Sequence, residues 1–420
     1  SGGVLYNKNK SRLITYPVQR SQSSYTVPVG VEWIDYGAFY GNEHLATVQL
    51  PSTLNGIGNY AFGGCYNLNS INFPSSLQYI GEAAFLSTNL GTVDLSACNE
   101  LTTIPGWAFQ SCSVSNLLLP ASINTIQGYA FSICNNLTQV DWSGNTNLGT
   151  LEDYVFWRCD NLNSVKLPRS VNSIGYGNFL SCYKLTDIIV ANDNPYFAVT
   201  DAVLMNKDYT SLIAYAPGKT ATKYVVPATV TAIGSAAFRS CPNLTSVDAQ
   251  NSQLTSKGSN AFNSTPLTEI TLPATVTSIA TYAFRYCSNL STFKIYNAVP
   301  PALGTYVFQY ASTSSCKLYV PKGAKASYAA ADQWSNFTNA EEFVIDGVEY
   351  PDMADLVISQ QGGLLRISGV AVGETLRIYG LSGQLIASRK AETAIVDIPI
   401  PEKGVYVLQV GTNNRRIIFK

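Results

Sequence analysis

The sequence predicts an α/β repeat solenoid, a coil of short stacked units around one continuous core, followed by a small all-β sandwich. Three observations carry this. A phenylalanine marker recurs at Phe39, Phe62, Phe85, Phe109, Phe131, Phe156, Phe179, Phe238, Phe262, Phe284 and Phe308, and nine of the ten steps between these eleven are 22 to 25 residues long, the other 59. An Ala precedes eight of the eleven, and an Ile stands five residues before the marker at Ile34, Ile57, Ile80, Ile104, Ile126, Ile174, Ile233 and Ile279. Agreement at a fixed period is the signature of a repeat architecture. Beyond residue 345 this grammar gives way to closely spaced strand and turn signals.

Each unit reads in two halves, best seen in Ile57 to Ile80, IGNYAFGGCYNLNSINFPSSLQYI. Leu68 to Pro74 alternates inward and outward residues, the period of a half-buried strand. Gly58 to Cys65 is too short for a full helix, so one helical or 3₁₀ turn is expected there, driving Ala61 and Phe62 inward. Parallel strands need a crossover between them, and a coil of this length supplies one per turn. The expected result is one stacked parallel sheet on one face and short turns on the other. No unit can bury its own Ile, Phe and Leu, so burial comes from its neighbours.

Leu-x-x-Ile-x-Phe at this period resembles a leucine-rich repeat. The fuller string Ile57-Gly58-x-x-Ala61-Phe62-x-x-Cys65-x-Asn67-Leu68 resembles the bacterial cell-surface subclass typified by the Bacteroides surface antigen A and treponemal repeats. The resemblance covers residues 1–345. It implies a leucine-rich-repeat solenoid, exported from the cell, that binds other proteins or surfaces and has no catalytic residues.

In chain order, residues 1–30 predict a hairpin cap. Residues 1–50 align with 200–249 at a constant offset: Val4-Leu5-Tyr6-Asn7-Lys8 matches Val203-Leu204-Met205-Asn206-Lys207. The long step is therefore a second hairpin, placed at 191–226. At the N-terminus such a hairpin covers the open end of the array, which would otherwise expose a sheet edge and core. The units at 50–190 are the most regular. After Leu290 the pattern fades at Val299-Pro300-Pro301, and residues 311–345 read as a closing cap with a last strand at Lys317 to Val320 and an Ala-rich helix over Lys322 to Trp334.

Residues 346–420 read as strands at Leu364–Ile367, Leu376–Tyr379, Gln384–Ile386 and Val405–Val410, with turns at Gly362-Gly363, Ser382-Gly383, Lys403-Gly404 and Asn413-Asn414. Strands this close, with no helices between them, predict a small β-sandwich. Ile378-Tyr379-Gly380-Leu381-Ser382-Gly383-Gln384-Leu385, Gly404-Val405-Tyr406 and the terminal Lys420 resemble the C-terminal sorting domain of proteins exported by the Bacteroidetes type IX system. A passive spacer is the alternative reading.

Composition narrows the function. A net charge of −1 with 13% charged residues gives no basic stripe for nucleic acid, and Arg415-Arg416 near the end is no more than a short basic pair. No apolar run approaches the ~18 residues of a membrane span. The chain opens Ser1-Gly2-Gly3 with no signal peptide, so a targeting segment is expected to have been removed or left out. Of nine cysteines, seven (65, 112, 134, 159, 182, 241 and 287) fall three residues after the marker, where other units place Asn42, Thr88, Thr265 and Ala311. A slot filled by such residues is one for a small side chain, and an unbridged internal ladder is expected. Cys98 and Cys316 stand outside it. No Cys-x-x-Cys or Cys-x-x-His spacing offers zinc a site, and no metal or cofactor is expected.

Chemistry is scarce. The single histidine, His44, precedes a strand in a polar loop, so any Ser-His-Asp or Cys-His arrangement would rest on it alone. Gly56-x-Gly58-x-x-Ala61 imitates a dinucleotide fingerprint but is a product of the repeat, with no following helix or acidic partner. Two surfaces remain as candidates. The outward strand positions, among them Asn72, Asp94, Asp141, Lys166, Asp187 and Asp248, form a polar sheet face without the adjacent acidic pair that glycoside hydrolysis uses. Two residues before the marker stand Tyr60, Trp107, Tyr129, Tyr154, Tyr282 and Tyr306, a turn-side column suited to docking a protein or stacking on sugars if exposed, or else packed between turns with only its hydroxyls wet. The expectation is a non-enzymatic repeat protein, extracellular or on the outer surface of a Bacteroidetes-like cell, mediating adhesion to host or neighbouring-cell proteins. Glycan capture for nutrition and a purely architectural role are the alternatives.

Overall fold

The computed structural model describes residues 3–344 and, beyond them, 357–361, 364–368, 370, 372–380, 384–399, 404–410 and 413–419. The chain divides into two compact units, residues 1–320 with 324–341, and residues 321–323 with 342–420.

The array is a solenoid of stacked parallel strands, and each coil contributes two rungs rather than one. The expected strands form the first ladder in several in-register runs, as in Val140↔Val165↔Ile188 and Val247↔Ile270↔Phe293↔Leu318. The second ladder is built from two-residue strands ending on the repeated Ile: Ile34↔Ile57↔Ile80 and Ile104↔Ile126↔Leu151↔Ile174. Two residues are too few to display an alternating pattern, so the sequence predicted no second strand at this Ile.

The turn itself is not helical. In all eleven coils the residues two before and two after the marker Phe are left-handed, with φ between 53° and 71°. That geometry sends alternate N–H groups toward the following coil instead of back along a helix. Gly37, Phe39 and Gly41 donate to the carbonyls of Asn59, Ala61 and Gly63 at 2.7 to 2.9 Å, and Tyr282, Phe284 and Tyr286 repeat this toward Thr305, Val307 and Gln309. A hydrogen-bonded ladder thus replaces the expected one-turn helix.

Inside, the marker rings stack. Phe39, Phe62, Phe85, Phe109 and Phe131 follow one another at centroid separations of 4.7 to 5.6 Å, with planes within 12° of parallel. The cysteine slot is more specific than a slot for small residues. Cys65, Cys112, Cys134, Cys159, Cys182 and Cys287 each direct Sγ at the Phe carbonyl of the preceding coil at 3.0 to 3.2 Å, and Thr265 does so with its hydroxyl at 2.6 Å. In these seven coils it is a slot for a small buried donor. Cys98, off the column, points the same way at Pro74 O, 3.4 Å distant. All nine thiols are free and buried, and burial pushes Cys65, Cys159 and Cys287 up to about 12.

Coils approach so closely that a Cβ on Gly81 would lie 2.3 Å from the backbone nitrogen of Asn59. Each hairpin supplies a first rung to the second ladder. Arg12–Thr15 pairs antiparallel with Leu5–Tyr6 and parallel with Trp33–Ile34, and Ser211–Tyr215 does the same between Val203–Asn206 and Ala232–Ile233. Tyr16 and Tyr215 take the marker's place in these coils, their rings 5.0 and 5.3 Å from Phe39 and Phe238. At the second hairpin both ladders restart, and the buried core falls into two clusters.

The closing segment is less helical than expected. One helix spans Lys325–Ala330, and a 3₁₀ turn spans Trp334–Asn336. Gln333 breaks the run at φ 56°. Its side-chain amide bridges the last turn instead, accepting from Val307 N at 2.8 Å and donating to Gly304 O at 2.9 Å. Trp334 and Phe337 then cover Phe308 at 5.3 and 5.0 Å, so burial of those rings decides where the helix stops.

In the second unit two antiparallel sheets, of three strands (Val357–Gln361, Leu364–Ser368, Ile395–Pro399) and four (Thr375–Gly380, Leu385–Lys390, Gly404–Val410, Asn413–Phe419), share one buried cluster including Ile367, Ile378, Ile398 and Leu408. This is the expected β-sandwich. Asn413 and Asn414, expected in a turn, already pair with Val410 and Gln409. The turns at Gly362-Gly363 and Ser382-Gly383 and the residue Lys403 lie outside the described residues.

One rung breaks the core's chemistry. Lys257 stands where neighbouring coils place Ile233 and Ile279, its Nζ buried with no hydrogen-bond partner among the described residues and 5.3 Å from the Phe284 ring. Burial holds its amine well below the ordinary lysine value. Lys257→Met should therefore raise the melting temperature. Between the depressed folded value and the unfolded value near 10.4 the unfolded chain holds the extra proton, so wild-type stability falls by up to about 1.4 kcal/mol for each pH unit lowered. Melting both proteins at pH 8, 7 and 6 should show the gap widening, and a constant gap would mean that the amine stays charged in the fold. The thiols give a second expectation. A native-state thiol titration should label none of the nine until unfolding, because only the thiolate reacts. Cys134→Ala should cost about 1 kcal/mol more than Cys134→Thr, which keeps the donor, as read by denaturant unfolding; equal costs would reduce the slot to size alone.

Candidate binding surfaces

On the sheet face the acidic candidates are committed to local structure. Asp94, Asp141 and Asp248 each accept the backbone N–H two residues on, from Ser96, Ser143 and Gln250, at 3.0 to 3.1 Å, the hydrogen-bonding habit of an Asx turn. Asp141 also accepts the Ser143 hydroxyl at 2.6 Å and Lys166 Nζ at 2.9 Å, and these bonds, the Ser143 hydroxyl foremost, hold its carboxyl down at about 2. Asp187 accepts the Thr186 hydroxyl at 2.8 Å. Asn72 locks two coils together, accepting Leu50 N at 2.7 Å and donating to Leu50 O at 3.0 Å. The structure brings Asp141 and Lys166 together as a surface ion pair and leaves the other four on separate rungs. Their chemistry ends the strands; it converges on no common point.

The turn side differs. The six aromatic candidates all sit on left-handed backbone, with φ from 53° to 61°, and neighbours stack on one another. Trp107 lies on Tyr129 at 5.6 Å, Tyr129 on Tyr154 at 4.8 Å and Tyr282 on Tyr306 at 6.0 Å. Tyr60, Tyr129, Tyr154 and Tyr282 are half-buried, while Trp107 and Tyr306 are exposed. The stack is interrupted wherever a coil carries Gly37, Ala83, Gly177, Ala236 or Asn260 at this position.

Sequence reasoning missed the residues beside this column. Tyr36 and Tyr40 flank Tyr60 at 5.9 and 6.3 Å and are well exposed. Near the other end Tyr286 stacks on Tyr310 at 4.9 Å, and the Arg285 guanidinium lies 5.0, 4.7 and 5.8 Å from the rings of Tyr282, Tyr286 and Tyr310. Tyr286, Tyr306 and Tyr310 are 46, 54 and 61% exposed. Tyr286 and Tyr310 share the position two after the marker, so aligning the units on that column would have found them. Arg285 has no such periodic signal.

His44 is exposed, its N–H donating to Asn42 Oδ1 at 3.0 Å. Among the described residues no group of three or more His, Cys, Asp or Glu side chains could hold a metal ion, and no helix is long and apolar enough to cross a membrane.

The repeated Ile, Phe and donor columns coincide with a known repeat. A family described as the BspA type leucine-rich repeat region matches in six copies across residues 18–138, 95–200 and 214–328, well over half of the chain. The chain belongs to this family. Two solved structures share the fold of this BspA-type array. One is a leucine-rich cell surface protein from Faecalibacterium prausnitzii, 22% identical, with a TM-score of 0.52 over 82% of this chain and 93% of that one. The other is a leucine-rich repeat protein from Bacteroides ovatus, 21% identical, with a TM-score of 0.52 over 82% of this chain and 90% of that one. No curated protein sequence matches this chain.

Proposed function

We propose that this BspA-type protein is a non-enzymatic recognition module outside the cell, binding a protein of a host or neighbouring cell through its turn side. The observation that carries the reading is the cluster of exposed Tyr286, Tyr306 and Tyr310 around the half-buried Arg285, with Trp107 further along the same side. Tyr, Trp and Arg are the residues that dominate protein interfaces, because each joins a large apolar face to a polar tip. The rings are pre-ordered by stacking and cation–π contact, which lowers the entropy lost on binding. Stacking also covers ring faces that a sugar would need, which favours a protein ligand over a glycan. The cell-surface description of the Faecalibacterium prausnitzii neighbour agrees with this placement. Binding of the purified chain to an array of extracellular-matrix and bacterial surface proteins, read by surface plasmon resonance, tests it. Arg285→Ala/Tyr286→Ala/Tyr310→Ala should weaken any hit at least about 100-fold, since each hot-spot truncation costs ~1 kcal/mol or more. A hit lost instead in Asp94→Lys/Asp187→Lys, with the triple variant unaffected, would move the site to the sheet face.

The C-terminal sandwich is, in this reading, the export signal of a type IX system, as its Gly-Leu-Ser-Gly and Gly-Val-Tyr strings suggest. In a host with that system, removal of residues 346–420 should trap the array in the periplasm. Undiminished appearance outside the cell would leave the sandwich as a spacer.

A further inference from the structure

The turn-side ladder loses one bond at Phe156 and breaks off in the following coil, where the second hairpin enters. In most coils the N–H groups at the marker and two residues to either side donate to the next coil, but those of Gly177, Phe179 and Ser181 have no acceptor among the described residues. Beside them is a cavity of about 170 Å³ between this turn and the residues 213–217 and 234–239. Its wall is largely apolar, with Phe179, Leu180, Ile213 and Pro217, and its charged group is Arg239. Arg239 donates through Nη1 to the Tyr176 hydroxyl at 3.3 Å, while its buried Nε has no partner among the described residues. A buried guanidinium donor left unpaired is costly, and unpaired backbone N–H groups nearby carry partial positive charge of their own. No carboxylate lines the cavity.

We propose that this seam cavity is a binding site for a carboxylate attached to a small apolar group, separate from the exposed tyrosine cluster. An apolar cavity of about 150 Å³ accepts a molecule the size of benzene, so the volume suits one branched aliphatic or phenyl group. Arg239 supplies a charge-assisted hydrogen bond to the carboxylate. The same chemistry is offered by a free acid and by the C-terminal residue of a peptide. The proposal does not depend on the protein-recognition reading, and its test uses other residues.

The experiment titrates the full chain with 4-methylpentanoate and phenylacetate, with their primary amides, and with the tripeptide Gly-Gly-Phe carrying a free or amidated C-terminus, by saturation-transfer NMR and calorimetry. At least one acid should bind and its amide should bind about ten-fold more weakly or not at all, a loss of the size expected for a charged hydrogen bond. Arg239→Met should abolish that preference and Arg239→Lys should restore part of it, both melting as the wild type does. Binding of the free acids alone identifies a small-molecule site, and binding of the tripeptide alone identifies a C-terminus reader. Equal binding of acid and amide, an unaffected Arg239→Met, or no binding of any probe overturns the proposal.

Discussion

A coil of this array cannot satisfy its own backbone. Its N–H groups find acceptors in the neighbouring coils on three sides at once: along the long strands, along the two-residue strands and across the turn. Buried backbone groups left unpaired are expensive, so the spacing between coils is fixed at the strand separation all the way round. The other regularities follow from that spacing. Phe rings one coil apart fall at stacking distance, glycine is required where two backbones nearly touch at Gly81, and the cysteine sulfur reaches the carbonyl of the coil before it. Stability in such a fold is a sum of nearest-neighbour interfaces.

The same constraint locates the irregular places. Where no coil follows in step, axial donors lose their partners and another group must substitute. At the C-terminal end the Gln333 amide inserts into the last turn and aromatic side chains close the core. At the second hairpin no acceptor among the described residues meets the N–H groups of Gly177 and Phe179, and a cavity lies there beside an arginine atom that has no partner among them. The features that depart from the repeat are therefore consequences of its geometry, and they are where a ligand has unmet polar groups to satisfy.

The turn side rests on a different balance. Left-handed backbone costs most residues about 1 kcal/mol or more, yet the array places tyrosine and tryptophan there in six of eleven coils. Contact between stacked rings offsets part of that cost, each pair contributing ~0.5–1.5 kcal/mol. The sheet face shows the opposite economy, its carboxylates consumed by turn N–H groups, a lysine and a hydroxyl.

The period, the first ladder, the buried Phe and Cys columns, the duplicated hairpin and the C-terminal sandwich were all legible in the sequence, because each rests on a pattern repeated along the chain, and repetition survives without knowledge of contacts. So was the column from Tyr60 to Tyr306, though its degree of exposure was not: that depends on which rings the neighbouring coils pack around each position, as Tyr36 and Tyr40 do around Tyr60. The tertiary structure alone decided the second ladder, since two residues hold no periodicity, and the left-handed turn, since its bonds go to residues more than twenty positions away. It alone assembled Arg285 with Tyr310 and Arg239 with Tyr176, pairs separated by 25 and 63 residues whose partnership depends on how the coils stack.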